Sequence, residues 1–202
     1  MTFLDYFQLA TVVLVLCVIA TKAIYLRAVA GVNPIVLGRG KGPWRIIEIL
    51  SLASVVLWIT EVVLRASHSG YDIFPRSLNV SFLSMVAVKI SALVLVTLGL
   101  IIFVLAFFSF GSSWRIGIDR QTPGTLVTEG IFGVTRNPIY VGFHLYFIGI
   151  FLINGTWFFL IFALLAAVAV HFQILREEEF LRRQYGQSFA NYCQRTPRYL
   201  IW

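Results

Sequence analysis

Charged residues are scarce in this chain. Asp, Glu, Lys and Arg make up 12% of its 202 residues, whereas hydrophobic residues make up 59%. Soluble globular domains carry about 25% charged residues. The composition therefore excludes an ordinary soluble domain and predicts an integral membrane protein.

Cysteine is also nearly absent. The only two, Cys17 and Cys193, fall in an apolar segment and in the C-terminal tail. Two cysteines so placed exclude a disulfide framework, and no spacing of ligand residues indicates a metal site. Basic residues outnumber acidic ones by 16 to 9, but they are scattered among loops with no nucleic-acid recognition module. We attribute the net charge to topology and to membrane lipids, and we expect no nucleic-acid partner.

Five long apolar segments are present. They cover residues 7–25, 46–64, 80–108, 138–153 and 156–175. Each is close to or above the ~20 residues that cross a bilayer as a helix. Asp5, and no basic segment, precedes the first, and basic residues follow it, so we expect a retained span and not a signal peptide. The sequence predicts an all-α fold with five transmembrane helices in a single membrane domain, 1–202.

The basic residues predict the orientation of these spans. Thirteen Lys and Arg residues lie on one side, whereas Arg65 and Arg76 lie on the other. An excess of basic residues marks the cytoplasmic side of a multi-pass protein. We therefore expect the N-terminus outside, and the C-terminus and the active site in the cytoplasm.

The chain divides into two parts of different character. Residues 1–110 are predicted to be a three-helix scaffold, and residues 111–202 contain a polar loop, a helical hairpin and amphipathic C-terminal helices. The hairpin turns at Asn154-Gly155, so the start of its first helix should meet the end of its second. Residues 177–194 are expected to form a cytoplasmic amphipathic helix, or a pair of helices broken near Gly186.

Two groups of polar residues should meet at the open end of this hairpin. Asn137 and Pro138 are favoured as the N-cap and first residue of a helix, and a helix start beside Arg136 is also suited to an anion. The run 177–179 is Glu-Glu-Glu, which is either a solvated helix segment or a negative cluster opposite Arg136. Such a cluster would accept hydrogen bonds from the ammonium and hydroxyl groups of a ligand.

The segments LVTEGIFGVTRNPIYVG and REEEFLRRQYGQSFANYCQRTPR resemble the isoprenylcysteine carboxyl methyltransferase family and the related membrane phospholipid methyltransferases. The resemblance covers residues 111–198. It implies that S-adenosylmethionine is the cofactor, bound from the cytoplasm by the loop and the hairpin. The contacts implied for it are Gly124, Thr125, Leu126, Val127, Phe132, Asn137, Pro138, Ile139, Tyr140 and Glu177.

Two positions depart from the family pattern. Asn137 stands where the family usually has His, and Gln173 stands where the carboxyl methyltransferases have Arg. Arg176, one turn away, is a possible substitute for that cation. The candidate catalytic residues are Arg136, Glu178 and His171, and the candidate acceptor-binding residues are Gln173, Arg176 and His144. Each histidine is either a base or a hydrogen-bond partner of a neighbouring helix.

The sequence thus predicts an S-adenosylmethionine-dependent methyltransferase whose acceptor is a lipophilic small molecule or a lipidated molecule. Two alternatives stay open. One is a membrane reductase of the sterol-reductase type that binds NADPH. The other is a membrane binding or assembly factor without catalytic activity.

The predicted orientation can be tested with reporter fusions. Fusions at Gly70 and Gly155 should report the outer side, and fusions at Gly40 and Trp202 the cytoplasmic side, because the basic loops stay inside. A cytoplasmic signal at Gly155 would contradict the predicted hairpin.

Overall fold

The computed structural model describes residues 1–29, 31, 33–36, 43–71, 73–117 and 124–201. Within these residues the apolar segments form α-helices, which satisfy their main-chain groups internally. The helices are α1 (Phe3–Ala28), α2 (Pro43–Ala66), α3 (Arg76–Asn79), α4 (Val86–Ser109), α5 (Pro138–Asn154), α6 (Trp157–Tyr185) and α7 (Gln187–Arg195). Two 3₁₀ turns, Gly111–Ser113 and Gly130–Gly133, lie between α4 and α5.

Four helices, α1, α2, α4 and α6, are long and apolar enough to cross a membrane, and α5 is a shorter apolar helix of 17 residues. The residues that the structure describes form no β-strand, only two isolated bridges. This confirms the predicted class, an all-helical multi-pass membrane protein.

The third apolar segment begins later than the sequence predicted. The expected span covered residues 80–108, but α4 starts at Val86. The preceding residues are extended because they pair with the turn between α5 and α6. The main-chain N–H of Phe82 donates to Gly155 O at 2.8 Å, and Ser81 Oγ donates to Asn154 O at 3.0 Å.

The predicted hairpin turn is confirmed at Asn154-Gly155. Gly155 ends α5 with φ at +64°, a left-handed conformation that glycine adopts without a steric penalty. The ammonium group of Lys89 donates to the carbonyls of Leu83, Leu152 and Ile153 at 2.9, 3.1 and 2.7 Å. Lys89 therefore stabilises the C-terminal end of α5, where the last carbonyls have no partner within the helix.

The second hairpin helix continues beyond its apolar part. α6 runs without interruption to Tyr185, and Gly186, with φ at +52°, separates it from α7. Phe189 and Tyr192 of α7 are buried, whereas Gln187 and Asn191 are exposed. The amphipathic pair broken at Gly186 is thus confirmed.

Glycines allow α4 and α5 to pack closely. A Cβ atom on Gly99 would lie 2.7 Å from Gly142 O, and one on Gly142 would lie 2.8 Å from Gly99 O. At Gly149 a Cβ would lie 2.9 Å from Val96 N. Small residues at such a crossing bring two membrane helices together. This contact fixes the start of α5, and with it the candidate site, on the scaffold.

We predict that Gly142→Ala lowers the stability of the fold. The added methyl group would meet main-chain atoms, so α4 and α5 would have to separate, at a cost of about 1–3 kcal/mol. The change is measurable as a lower midpoint of thermal unfolding in detergent. Gly133→Ala is the matched control, because a Cβ there has its nearest contact at 3.8 Å. Equal midpoints for the two variants would contradict the close crossing.

Candidate active site

The start of α5 brings Asn137 and Pro138 into the protein interior. Pro138 is the first residue of the helix, as expected, and Asn137 occupies the N-cap position. Both positions are thus confirmed, although the side chain of Asn137 makes no capping bond. Its Nδ2 instead donates to Glu178 Oε1 at 3.3 Å and to Arg198 O at 3.1 Å. The amide therefore links α5 to α6 and to the C-terminal tail.

The carboxylate of Glu178 lies between two arginines. Arg136 donates from Nε to Oε1 at 3.1 Å, and Arg198 donates to Oε2 from Nε at 3.1 Å and from Nη2 at 2.8 Å. The side chains of Arg136 and Glu178 are only 10% and 7% exposed. We call Arg136, Glu178 and Arg198 the arginine clasp. The bonds to Glu178 also raise the pKa of Arg198.

Arg136 also binds the tail directly. Its Nη1 donates to Thr196 O at 2.6 Å and to Cys193 O at 3.3 Å, while its main-chain N–H donates to Pro197 O at 2.9 Å. The expected anion site beside Arg136 is therefore filled by groups of the protein itself. The structure does bring Arg136 against Glu178, as the hairpin geometry predicted.

The neighbouring carboxylate, Glu177, has different partners. Tyr140 Oη donates to Glu177 Oε1 at 2.5 Å, and Gln173 Nε2 donates to the same oxygen at 2.7 Å. Both donors are neutral and come from facing helices of the hairpin. Arg176 donates from Nη1 to Gln173 Oε1 at 3.0 Å and lies 3.6 Å from Glu48 of α2. The cation nearest to Gln173 is thus already paired with an acidic side chain of the scaffold.

The polar loop before the second 3₁₀ turn is held by Ser113. The Oγ of Ser113 accepts from the N–H of Thr125 at 3.1 Å, and a Cβ on Gly124 would lie only 2.3 Å from that oxygen. The hydroxyl of Tyr185, at the end of α6, donates to Gly124 O. A cavity of about 390 Å³ lies along this loop. Its lining residues are Ser109, Thr125, Leu126, Val127, Thr128, Glu129 and Gly130.

Two of the residues expected to contact the cofactor, Phe132 and Ile139, pack within the protein. Phe132 is 4% exposed and packs edge-to-face on Phe110 at 4.9 Å between ring centroids, and its carbonyl accepts from Tyr192 Oη at 2.6 Å. Ile139 packs against the apolar cluster that contains Phe103 and Trp114. Through this packing the two side chains stabilise the loop and the start of α5.

Tyr199 brings the two candidate histidines together. Its hydroxyl lies 2.7 Å from His171 Nδ1, and the two rings stack with centroids 6.2 Å apart. The ring of His144 meets Tyr199 edge-on at 6.4 Å. Burial raises the pKa of the Tyr199 phenol. Among the described residues no three His, Cys, Asp or Glu side chains cluster closely enough to hold a metal ion.

Sequence reasoning missed Ser113, Tyr185 and Tyr199. Each is a hydroxyl residue that acts through a contact with a residue distant in sequence; Tyr185 was counted only as an apolar position of the amphipathic helix. The sequence feature closest to them was Arg198, the last residue of the second motif, which directly precedes Tyr199.

Comparison with known proteins gives similarities over half of the chain. Residues 87–188 match the family described as phospholipid methyltransferase. Protein-S-isoprenylcysteine O-methyltransferase B of Arabidopsis thaliana is 34% identical over 113 residues, which are 52% of this chain and 55% of the relative. Protein-S-isoprenylcysteine O-methyltransferase of Schizosaccharomyces pombe is 30% identical over 83 residues, 41% of this chain and 35% of the relative.

The chain therefore spans about half the length of the first relative and about a third of the second. The matched range 87–188 includes almost all of α4, all of α5 and α6, the loop and both carboxylates of the site. Because that match extends over half of its residues, and in agreement with the resemblance of its motifs, the chain belongs to the phospholipid methyltransferase family.

Proposed function

We propose that this protein is a membrane methyltransferase that binds S-adenosylmethionine from the cytoplasm and methylates a lipophilic acceptor that enters from the bilayer. Family membership and the names of the relatives support the reaction class. In this proposal α1, α2, α4, α5 and α6 all cross the membrane, with the N-terminus outside. At about 1.5 Å per residue, the 17 residues of α5 reach about 25 Å, which is just sufficient.

The carboxylate of Glu177 is the observation that carries the proposal. Both of its hydrogen bonds from described residues end on Oε1, so Oε2 is left for a ligand. Its hydrogen-bond partners Tyr140 and Gln173 are neutral, so neither of them neutralises the carboxylate. Such a group fits the ammonium and ribose hydroxyls of S-adenosylmethionine, since a carboxylate forms its strongest bonds with cationic donors.

The loop cavity supports the same cofactor. Its volume of about 390 Å³ lies in the range of small-molecule sites. Thr125, Leu126 and Val127 line it and offer apolar contacts beside main-chain hydrogen-bonding groups. In this proposal they contact the cofactor together with Tyr140 and Glu177, while Phe132 and Ile139 shape the wall behind them.

When bound, S-adenosylmethionine supplies a methyl group that its sulfonium has already activated for in-line displacement. The task left to the protein is then mainly to position the reactants. Glu177 and Tyr140 would fix the cofactor, and the arginine clasp holds the start of α5 and the tail against α6. We therefore assign Arg136 and Glu178 a positioning role and do not place them in contact with the reacting atoms.

The acceptor-binding residues favour a head group without net negative charge. Gln173 carries no charge, and Arg176 is paired with Glu48. A carboxylate head would be buried there without a cation, at a cost of several kcal/mol. An amine or a thiol that enters as a neutral or zwitterionic lipid avoids this cost.

We predict that S-adenosylhomocysteine raises the melting temperature of the purified protein in detergent, because a ligand that binds only the folded state stabilises it. NADPH should have no effect. Stabilisation by NADPH alone would support a reductase, and stabilisation by neither would support a binding or assembly factor. In Glu177→Ala and Tyr140→Phe, titration calorimetry should show at least about tenfold weaker S-adenosylhomocysteine binding.

Glu179→Ala is the matched control for these variants. Glu179 lies on the same helix, two residues after Glu177, but its side chain is exposed and pairs with Arg183 on the surface. It should bind S-adenosylhomocysteine as the wild type does. Wild-type affinity in both Glu177→Ala and Tyr140→Phe would show that the cofactor lies elsewhere.

We also predict that Gln173→Arg shifts the choice of acceptor toward carboxylates. The wild type should methylate a farnesylcysteine analogue on its carboxylate weakly, and Gln173→Arg should increase this rate while lowering the rate with the native acceptor. Transfer of a radiolabelled methyl group measures both. Fast carboxylate methylation by the wild type, unchanged in Gln173→Ala, would contradict the proposed specificity and favour Arg176 as the acceptor's cation.

A further inference from the structure

The C-terminal tail crosses the open end of the hairpin in a fixed conformation. We call residues 196–200 the strap. The carbonyl of Arg198 accepts from Thr135 Oγ1 and Asn137 Nδ2, each at 3.1 Å. Together with the arginine clasp, these bonds define the main-chain position on both sides of residue 198. The position of the next side chain, Tyr199, is therefore set by the fold.

The strap carries Tyr199 onto the candidate site. Its hydroxyl is 2.7 Å from His171 Nδ1, and its ring stacks on the imidazole with 21° between the planes. His171 lies six residues before Glu177 on α6, about 9 Å along the helix axis. A residue from outside the hairpin thus contacts a candidate catalytic histidine.

The direction of this hydrogen bond follows from the acidity of the two partners. A phenol is a good donor and a poor acceptor, whereas the unprotonated nitrogen of a neutral imidazole is a good acceptor. Burial raises the pKa of Tyr199, so the phenol keeps its proton at neutral pH. The favoured arrangement of this hydrogen bond therefore has Tyr199 Oη–H donating to His171 Nδ1. The hydrogen bond at one ring nitrogen decides the state of the other, and the neutral ring carries its own proton on Nε2.

We propose that Tyr199 is a positioning residue that fixes His171 with its proton on Nε2, so that His171 donates a hydrogen bond to an oxygen atom of the acceptor's head group and does not serve as a general base. This inference rests on the proposed methyl transfer. It replaces the base role that the sequence suggested for His171. A hydrogen-bond donor at this position suits a methyl acceptor whose head group carries oxygen atoms. In this proposal Glu177 binds the cofactor and not the methyl acceptor.

Nitrogen NMR of the histidines tests the hydrogen bond without turnover. The chain has only three histidines, so selective ¹⁵N-histidine labelling in detergent gives few signals, which His68→Gln and His171→Gln assign. The unprotonated nitrogen of His171 should be Nδ1, and its resonance should shift in Tyr199→Phe, which keeps the ring but removes the hydroxyl. A wild-type spectrum with the proton on Nδ1 would overturn the proposal.

Two substitutions of His171 separate a donor from a base. The side-chain amide of glutamine can place an N–H near the position of Nε2 but takes up no proton at neutral pH. His171→Gln should therefore keep methyl transfer within about threefold of wild type, whereas His171→Leu should raise the KM for the acceptor about tenfold. Tyr199→Phe should raise that KM between twofold and tenfold, by roughly one hydrogen bond. Equal loss of kcat in His171→Gln and His171→Leu would establish a base and refute the inference.

Tyr192→Phe controls for loosening of the tail. Tyr192 Oη donates to Phe132 O at 2.6 Å and anchors the helix that leads into the strap, without a recorded contact to His171. This variant should lower the melting temperature but leave the His171 resonances unchanged. If it moves them as Tyr199→Phe does, the effect of Tyr199 is only structural. Failure of the wild type to bind S-adenosylhomocysteine would instead count against the methyltransferase function, while the NMR result would still decide the hydrogen bond.

Discussion

The arrangement of the site depends on the buried carboxylate of Glu178. It joins segments that are distant in sequence: the end of α6, the start of α5 through Arg136, and the tail through Arg198. With 7% of its side chain exposed, this carboxylate is stable only while it is paired, because an unpaired buried charge costs several kcal/mol. Two guanidinium groups and an amide pair it. The positions of Tyr140 and Tyr199 follow, since each extends from a segment that Glu178 holds.

Two adjacent glutamates have different environments for a simple geometric reason. Successive residues of an α-helix point about 100° apart, so Glu177 faces the interior of the hairpin while Glu178 faces the strap. Glu178 is compensated by two cations, whereas Glu177 receives only the neutral donors Tyr140 and Gln173. The first environment suits a structural tie, and the second suits recognition of a cationic ligand. Arg176, the residue before Glu177, pairs with Glu48 of the scaffold and donates to Gln173.

The sequence predicted the parts of the structure that local physics determines. Hydropathy indicated the helices, and Asn154-Gly155 indicated the hairpin turn and the meeting of Arg136 with Glu178. The start of α4 was wrong because Ser81 and Phe82 pair with that turn, a tertiary contact that hydropathy does not register. The side chain of Asn137 departed from its capping preference for the same reason. Tyr199 was missed because a residue after the last helix belongs to no periodic pattern.

The two ends of the α5–α6 hairpin satisfy their polar groups in different ways. At the turn, the three donors of Lys89 meet three main-chain carbonyls, so the ammonium group is fully used. At the open end the partners are side chains from three segments, and one carboxylate oxygen, Oε2 of Glu177, receives no bond from a described residue. A polar group retained at a membrane boundary with spare bonding capacity is expensive unless a ligand uses it. The free oxygen of Glu177, beside two neutral donors, is what suits the open end to the proposed chemistry.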